Sequence, residues 1–149
     1  MKIPIVKNYT IIFAFLFFSY STYATDGTFT DTIVTSTGLK YVVLKKGDGE
    51  KPKKGDKVTV HYRGELPSGK VFDTSRNGRP FKFKIGKQQV IPGWEEGVTL
   101  MRRGEIGVLI VPAHLAYGKR GVRDEFDDSN YEIPPDSELI FEMELLHFK

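Results

Sequence analysis

The chain has 149 residues, no cysteine, 22 lysines and arginines against 19 acidic residues, and 40% hydrophobic residues. That length suits one domain, and the fractions are those of a globular chain, not a disordered or fibrous one. The lack of cysteine excludes disulfides, thiol nucleophiles and thiolate metal sites. Three histidines far apart in sequence, His61, His114 and His147, give no basis for a zinc hydrolase, and no metal site is expected.

Residues 1–24 read as a secretory signal peptide. Lys2 and Lys7 form a basic start, Ile11 to Phe18 is an unbroken apolar run, and Thr22-Tyr23-Ala24 fits a small-x-small cleavage site. The apolar run is too short for a comfortable membrane span, so no stable membrane insertion is expected after cleavage. No cysteine stands at the cleavage point to carry a lipid. Loss of this segment removes two of the 22 basic groups and no acidic one, leaving 20 against 19, a net charge of +1. A general nucleic-acid-binding function loses its support at that charge.

Residues 25–37 are threonine-rich with few large apolar side chains, and read as a loosely ordered tail before a domain spanning 38–149. Leu39, Tyr41 and Val43 alternate with Lys40 and Val42 as a first strand. Lys46-Gly47-Asp48-Gly49 is turn chemistry. Val58 to Arg63 alternates cleanly, and Pro67-Ser68-Gly69 supplies a hairpin turn into Val71-Phe72. Phe81, Phe83 and Ile85 alternate with Lys82 and Lys84. From Pro92 to Arg103 the period changes: Trp94, Val98 and Met101 share one helical face. Pro92 suits a first helical turn, Glu95, Glu96, Arg102 and Arg103 match the macrodipole, and Gly104 fits a left-handed terminus. Val108 to Val111 reads as a strand covered on both faces. Gly118 to Ser137 lacks periodicity and is long for a connection. A last strand runs from Leu139 to His147. The pattern predicts an α+β domain, a twisted antiparallel sheet with one helix against its concave side.

No nucleophile elbow, zinc-binding helix motif or phosphate-cradling glycine loop is present. The chain does carry an aromatic set, Tyr62, Phe72, Phe81, Trp94, Tyr117 and Phe141, spread over separate elements. Composition and spacing alone read these six as core. Two features argue instead for a lined pocket: the polar-tipped Asp73 and Tyr117 adjoin the set, and Val90-Ile91 is apolar at a helix entrance where polar caps are usual.

Six collinear segments carry a family resemblance: Val60 to Gly64, Gly69 to Ser75, Pro80 to Phe83, Gly86-Lys87-Gln88-Gln89-Val90-Ile91-Pro92-Gly93-Trp94-Glu95-Glu96-Gly97-Val98, Ala116 to Gly118, and Ile133 to Pro135. Together they resemble the FKBP-type peptidyl-prolyl cis-trans isomerases, the family that binds tacrolimus and rapamycin. The resemblance implies a five- or six-stranded antiparallel half-barrel wrapped around one short helix, and an enzyme that needs no cofactor. By motif, Trp94 is implied as the pocket floor, with Tyr62, Phe72, Phe81, Val90, Ile91 and Phe141 as walls. The Ile91 N–H and the Tyr117 hydroxyl are implied to bond the substrate, Asp73 to orient polar groups at the rim, and Ile133 to sit on a lid over the pocket.

The chain departs from the family pattern twice. It is one residue shorter where members often carry an arginine that pairs with the pocket aspartate, which leaves Arg76 and Arg79 as alternatives. The lid is longer than in compact members and acidic, with Asp124, Glu125, Asp127, Asp128 and Glu132, and Val122 stands where such members can carry a histidine. The expected activity is isomerisation of Xaa-Pro bonds in exported polypeptides, with tacrolimus- or rapamycin-type macrolides as further ligands. The competing reading is a non-catalytic prolyl-binding chaperone or interaction module whose acidic lid attracts basic chains. A monomer in the periplasm is expected, with a secretory-pathway lumen as the alternative.

Overall fold

The computed structural model describes residues 32–149; the expected signal peptide and the first part of the expected tail lie outside them. Among the described residues the strands are β1 (Thr32–Val34), β2 (Lys40–Lys45), β3 (Lys57–Glu65), β4 (Val71–Thr74), β5 (Phe81–Lys84), β6 (Ile106–Val111), β7 (Val122–Arg123), β8 (Tyr131–Ile133) and β9 (Leu139–Phe148), and the one α-helix is α1 (Pro92–Gly97). Seven strands form one antiparallel sheet in the order β1-β2-β6-β9-β3-β4, with β5 also on β3.

The two longest strands, β9 and β3, pair at the centre, from Val58 opposite Phe148 to Glu65 opposite Ile140. Alternation sets which face they bury: Leu139, Phe141, Met143 and Leu145 of β9 point into the core, beside Val58 and Val60 of β3 and Leu109 and Val111 of β6. The other side of β9 carries Glu142 and Glu144, both held by Arg76.

The expected sheet and single helix are present, with local differences. The sheet has a seventh strand because Thr32–Val34, assigned from sequence to the loose tail, pairs with Lys40–Val42 of β2. Its side chains are all exposed, so backbone hydrogen bonding along an open sheet edge, and no apolar pattern, holds it. The helix is also shorter than predicted. It ends at Gly97 and gives way to a 3-10 turn, Val98–Leu100, whose Thr99 hydroxyl bonds back to the Glu96 carbonyl at 2.7 Å. Arg102 and Arg103 are therefore not helical. Arg102 to Glu105 is a β-turn closed by the Glu105 N–H on the Arg102 carbonyl, and Gly104, at φ +80°, supplies its left-handed position. The strand β6 is buried on one face and half-buried on the other, not covered on both.

Helix α1 lies against β6 at close range. A Cβ on Gly93 would stand 2.4 Å from Val111 Cγ1, and one on Gly97 would stand 2.6 Å from Leu109 Cδ1. The i, i+4 spacing places both glycines on one helical face. Their lack of side chains lets the helix sink towards the sheet and turns Trp94, between them, into the aromatic cluster.

The segment 118–137 is ordered by its own backbone. A 3-10 turn at Gly118–Arg120 leads into the hairpin of β7 and β8, in which Val122 faces Ile133. The Asp136 N–H closes the base on the Gly118 carbonyl at 2.9 Å.

Candidate functional site

An open cavity of about 210 Å3 lies between α1 and the sheet, lined by Tyr62, Phe72, Asp73, Phe81, Gln89, Val90, Ile91, Trp94, Tyr117 and Phe141. Nine of these ten are the residues singled out from sequence. The structure thus brings together side chains from β3, β4, β5, α1, β9 and two loops. The alternative that the six aromatics are simply core holds only in part: Trp94 and Phe141 are almost fully buried, whereas Phe81 and Tyr117 are exposed.

Trp94 is the floor. Its ring centroid lies 4.7 Å from Tyr62, 5.2 Å from Phe141 and 5.9 Å from Phe81, each edge to face. Phe83 packs beneath at 6.0 Å. Such pairs hold the rings in place beyond what area burial supplies. Phe72 meets Phe141 edge to face at 5.6 Å, over a gap that Gly64 keeps open. A Cβ on Gly64 would come within 2.7 Å of both rings.

The polar atoms are held as firmly. Thr74 and Ser75 grip the backbone of Tyr62: the Ser75 hydroxyl accepts its N–H at 2.9 Å, while its carbonyl accepts the Thr74 hydroxyl and the Ser75 N–H, each at 3.0 Å. The Tyr62 hydroxyl donates to Asp73 Oδ2 at 2.5 Å. Burial above all, then that hydrogen bond and the carboxylate charge, pushes the Tyr62 phenol well above its ordinary value. Burial, with the charges of Asp73 and Glu132, also raises the Tyr117 phenol. Both rings therefore remain neutral donors at neutral pH. His61, opposite Tyr62 on the strand, bonds the Ser75 hydroxyl at 3.0 Å and plays a structural part.

The helix entrance supplies the last group. Ile91 caps α1 without a side-chain bond, and its carbonyl accepts the N–H groups of Trp94 and Glu95. The Ile91 N–H makes no hydrogen bond among the described residues. The apolar cap offers this donor no side-chain acceptor of its own.

Three findings revise the sequence-based expectations. Ile133 does not line the cavity: it is 3% exposed, inside the core and paired with Val122. Burial of a side chain of this kind is worth about 1.5–3 kcal/mol, which favours the core over a position above an open cleft. Asp73 pairs with Tyr62, and Arg76 instead binds Glu142 and Glu144 at 2.7 and 3.2 Å. Gln89 lines the cavity and was missed. Its Oε1 accepts the Lys84 N–H at 2.8 Å and ties the loop 85–90 to β5; its place beside Val90-Ile91 was the available signal.

Among the described residues no cluster of histidine and acidic side chains is arranged to hold a metal. Aromatic walls, an open backbone N–H and phenolic hydroxyls meet in this one cavity. The half-barrel with its single buried helix places the protein in a known class. The family model described as FKBP-type peptidyl-prolyl cis-trans isomerase matches residues 48–146. FK506-binding protein 1 of Dictyostelium discoideum is 44% identical over 113 residues, covering 75% of this chain and 99% of that protein. The isomerase FkpA of Escherichia coli is 45% identical over 116 residues, 77% of this chain but 39% of its own length. The crystal structure of AtFKBP13 superposes with a TM-score of 0.72 at 36% identity, covering 80% of this chain and 99% of that one. This chain belongs to the FKBP-type peptidyl-prolyl cis-trans isomerases.

Proposed function

We propose that the cavity over Trp94 rotates Xaa-Pro bonds of exported polypeptides, with the proline ring on the indole and a substrate carbonyl outside the rotating bond on the Ile91 N–H. The uncatalysed barrier is roughly 18–20 kcal/mol, and the bond isomerises in about tens to hundreds of seconds. Twisting breaks amide resonance, so the carbonyl loses negative charge and the imide loses polarity. Water favours the planar, polar form. Six aromatic rings in place of water remove that advantage, and catalysis becomes tighter binding of the twisted form. A millionfold acceleration corresponds to about 8 kcal/mol. Fixed donors contribute through preorganisation: Ile91 on the helix entrance, and Tyr117 at the rim. No covalent bond forms.

The single observation that carries this reading is the unoccupied Ile91 N–H at the edge of an aromatic cavity whose floor is Trp94. A protease-coupled assay on short Xaa-Pro peptides tests it. Catalysed exchange is expected; a rate equal to the uncatalysed one leaves only the prolyl-binding chaperone reading.

The cellular setting is part of the same proposal. The basic, apolar and small-residue order of residues 1–24 supports export, to a bacterial periplasm or a secretory-pathway lumen, where the domain acts as a monomer on folding clients. Among the described residues no helix is long and apolar enough to cross a membrane. Mass spectrometry of the mature N-terminus from extracytoplasmic fractions is expected to begin at Thr25.

A further inference from the structure

The outer face of the sheet, turned away from α1 and the aromatic cavity, gathers cations at one end of β3. Lys57 stands directly opposite Lys84 of β5, and Thr59 directly opposite Lys82. On the other side of the strand, Thr59 faces His147 of β9. Lys57 exchanges both backbone hydrogen bonds with Lys149, at 2.8 and 3.2 Å. Alternation turns these side chains outward, since the intervening Val58, Val60 and Phe83 are in the core. A cavity of about 100 Å3 opens there, lined by Lys57, Thr59, Lys82, His147 and Lys149, with no acidic side chain in its wall.

The charges around it are unbalanced. Among the described residues none of Lys57, Lys82, Lys84 and Lys149 has an ion pair. Acids at neighbouring positions are engaged elsewhere: Asp56 Oδ2 accepts the Lys53 N–H at 2.9 Å, and Glu144 holds Arg76. Like charges directly opposite on a sheet are destabilising, and a bound anion offsets the repulsion between Lys57 and Lys84.

The second observation is a hydroxyl between these cations. Thr59 is only 4% exposed, yet its hydroxyl makes no hydrogen bond among the described residues. The side-chain polar atoms sealed from solvent without a partner are, among those residues, Trp94 Nε1 and Glu95 Oε1. The Thr59 hydroxyl is not one of them, so it stays open to the cavity it lines. A polar group this deeply placed is ordinarily paired, and the cavity is where a partner reaches it.

We propose that this cavity binds a phosphate group, free in solution or displayed on a larger molecule. The Thr59 hydroxyl and the His147 imidazole N–H donate to its oxygens, and Lys57, Lys82 and Lys149 neutralise its charge. The volume suits one tetrahedral oxyanion, and three ammonium groups favour a phosphate of charge about −1.5 to −2 over a singly charged carboxylate. The site does not depend on the prolyl reading of the aromatic cavity.

The test titrates the isotope-labelled protein with sodium phosphate at constant ionic strength, with sodium chloride as the control, and follows backbone amides by NMR. Saturable shifts are expected at 57–59, 82 and 147–149 with phosphate and not with chloride. Thr59→Val keeps the branched shape that suits a strand but removes the donor, and should weaken phosphate binding several-fold. Lys57→Gln, at an exposed position, should do the same and serves if the first variant folds poorly. Co-sedimentation with phosphatidylcholine vesicles, with and without phosphatidic acid, separates the sources. Binding that requires phosphatidic acid and weakens in Thr59→Val assigns the phosphate to a lipid head group; otherwise the saturable shift assigns it to a soluble phosphate. The absence of a saturable shift with phosphate overturns the proposal, as does a phosphate affinity unchanged in either variant once folded.

Discussion

The hydroxyl of Tyr62 and the carboxylate of Asp73 are joined by a 2.5 Å hydrogen bond at the rim of the aromatic cavity. Because the bond crosses from β3 to β4, it fixes the Tyr62 ring against Trp94 from the polar end, while ring contact fixes it from the apolar end. The two residues act as one wall. The carboxylate has this tyrosine as its partner where the family pattern offered an arginine.

Loss of that carboxylate is expected to act on activity more than on folding. Asp73 is exposed, so Asp73→Leu leaves the core intact but releases the Tyr62 hydroxyl. We expect kcat/KM on a short prolyl peptide to fall about tenfold, or ~1.4 kcal/mol, with an unchanged far-ultraviolet circular dichroism spectrum. Arg76→Ala is the control. Its ion pairs with Glu142 and Glu144 are partly solvent-exposed, and such pairs are worth about 0–1 kcal/mol, so activity is expected to stay at the unmodified level. Equal losses in the two variants would mean that Arg76, not Tyr62, transmits the effect of Asp73.

The contact of α1 with β6 makes a prediction about packing. Gly93→Ala puts a methyl group 2.4 Å from Val111 Cγ1, and overpacking of this kind costs about 1–3 kcal/mol. The helix must move off the sheet, carrying Trp94 and the Ile91 N–H with it, so stability and kcat/KM are expected to fall together. Adding Val111→Ala provides room for the methyl group. In urea unfolding the double variant should be more stable than the sum of the two single losses predicts, since adjacent sites of this kind are coupled. Strict additivity would show that the close approach does not constrain the helix.

Much of this was legible in the sequence because alternation is a local signal. The buried set Leu139, Phe141, Met143 and Leu145 could be read directly, and the residues of the cavity followed from the collinear motifs. What escaped depended on pairing between distant segments. Thr32–Val34 has no apolar periodicity and becomes a strand only because β2 offers an open edge. The helix was overextended because Val98 and Met101 keep its spacing, although a 3-10 turn presents the same side chains to the core. Ile133 was misplaced because its motif says which loop it belongs to, not which side of that loop faces the cavity. The grip of Thr74 and Ser75 on Tyr62 had a sequence signal, two hydroxyl residues directly after Phe72-Asp73, but only the β3–β4 register gives it meaning.

The buried phenols set the response to base. Tyr41 donates to Glu105 Oε1 at 2.5 Å inside the core, and burial first, then that bond and charge, hold its phenol far above the ordinary 10.0. Tyr62 and Tyr117 are raised as well. In the unfolded chain all three ionise near 10.0. Above that pH the unfolded state has released protons that the folded state still holds, so unfolding becomes easier as pH rises. The stabilisation is fully present below the unfolded value and is lost as pH climbs towards the folded ones. Urea unfolding should give a stability that the tyrosines leave flat between about pH 7 and 9 and that declines above about pH 10. Tyr41→Phe leaves Glu105 without that donor and should be less stable throughout, but its decline above pH 10 should be shallower by one tyrosine's share. An identical slope in both proteins would show that the Tyr41 phenol ionises alike in the folded and unfolded chains, against the burial and charge that surround it.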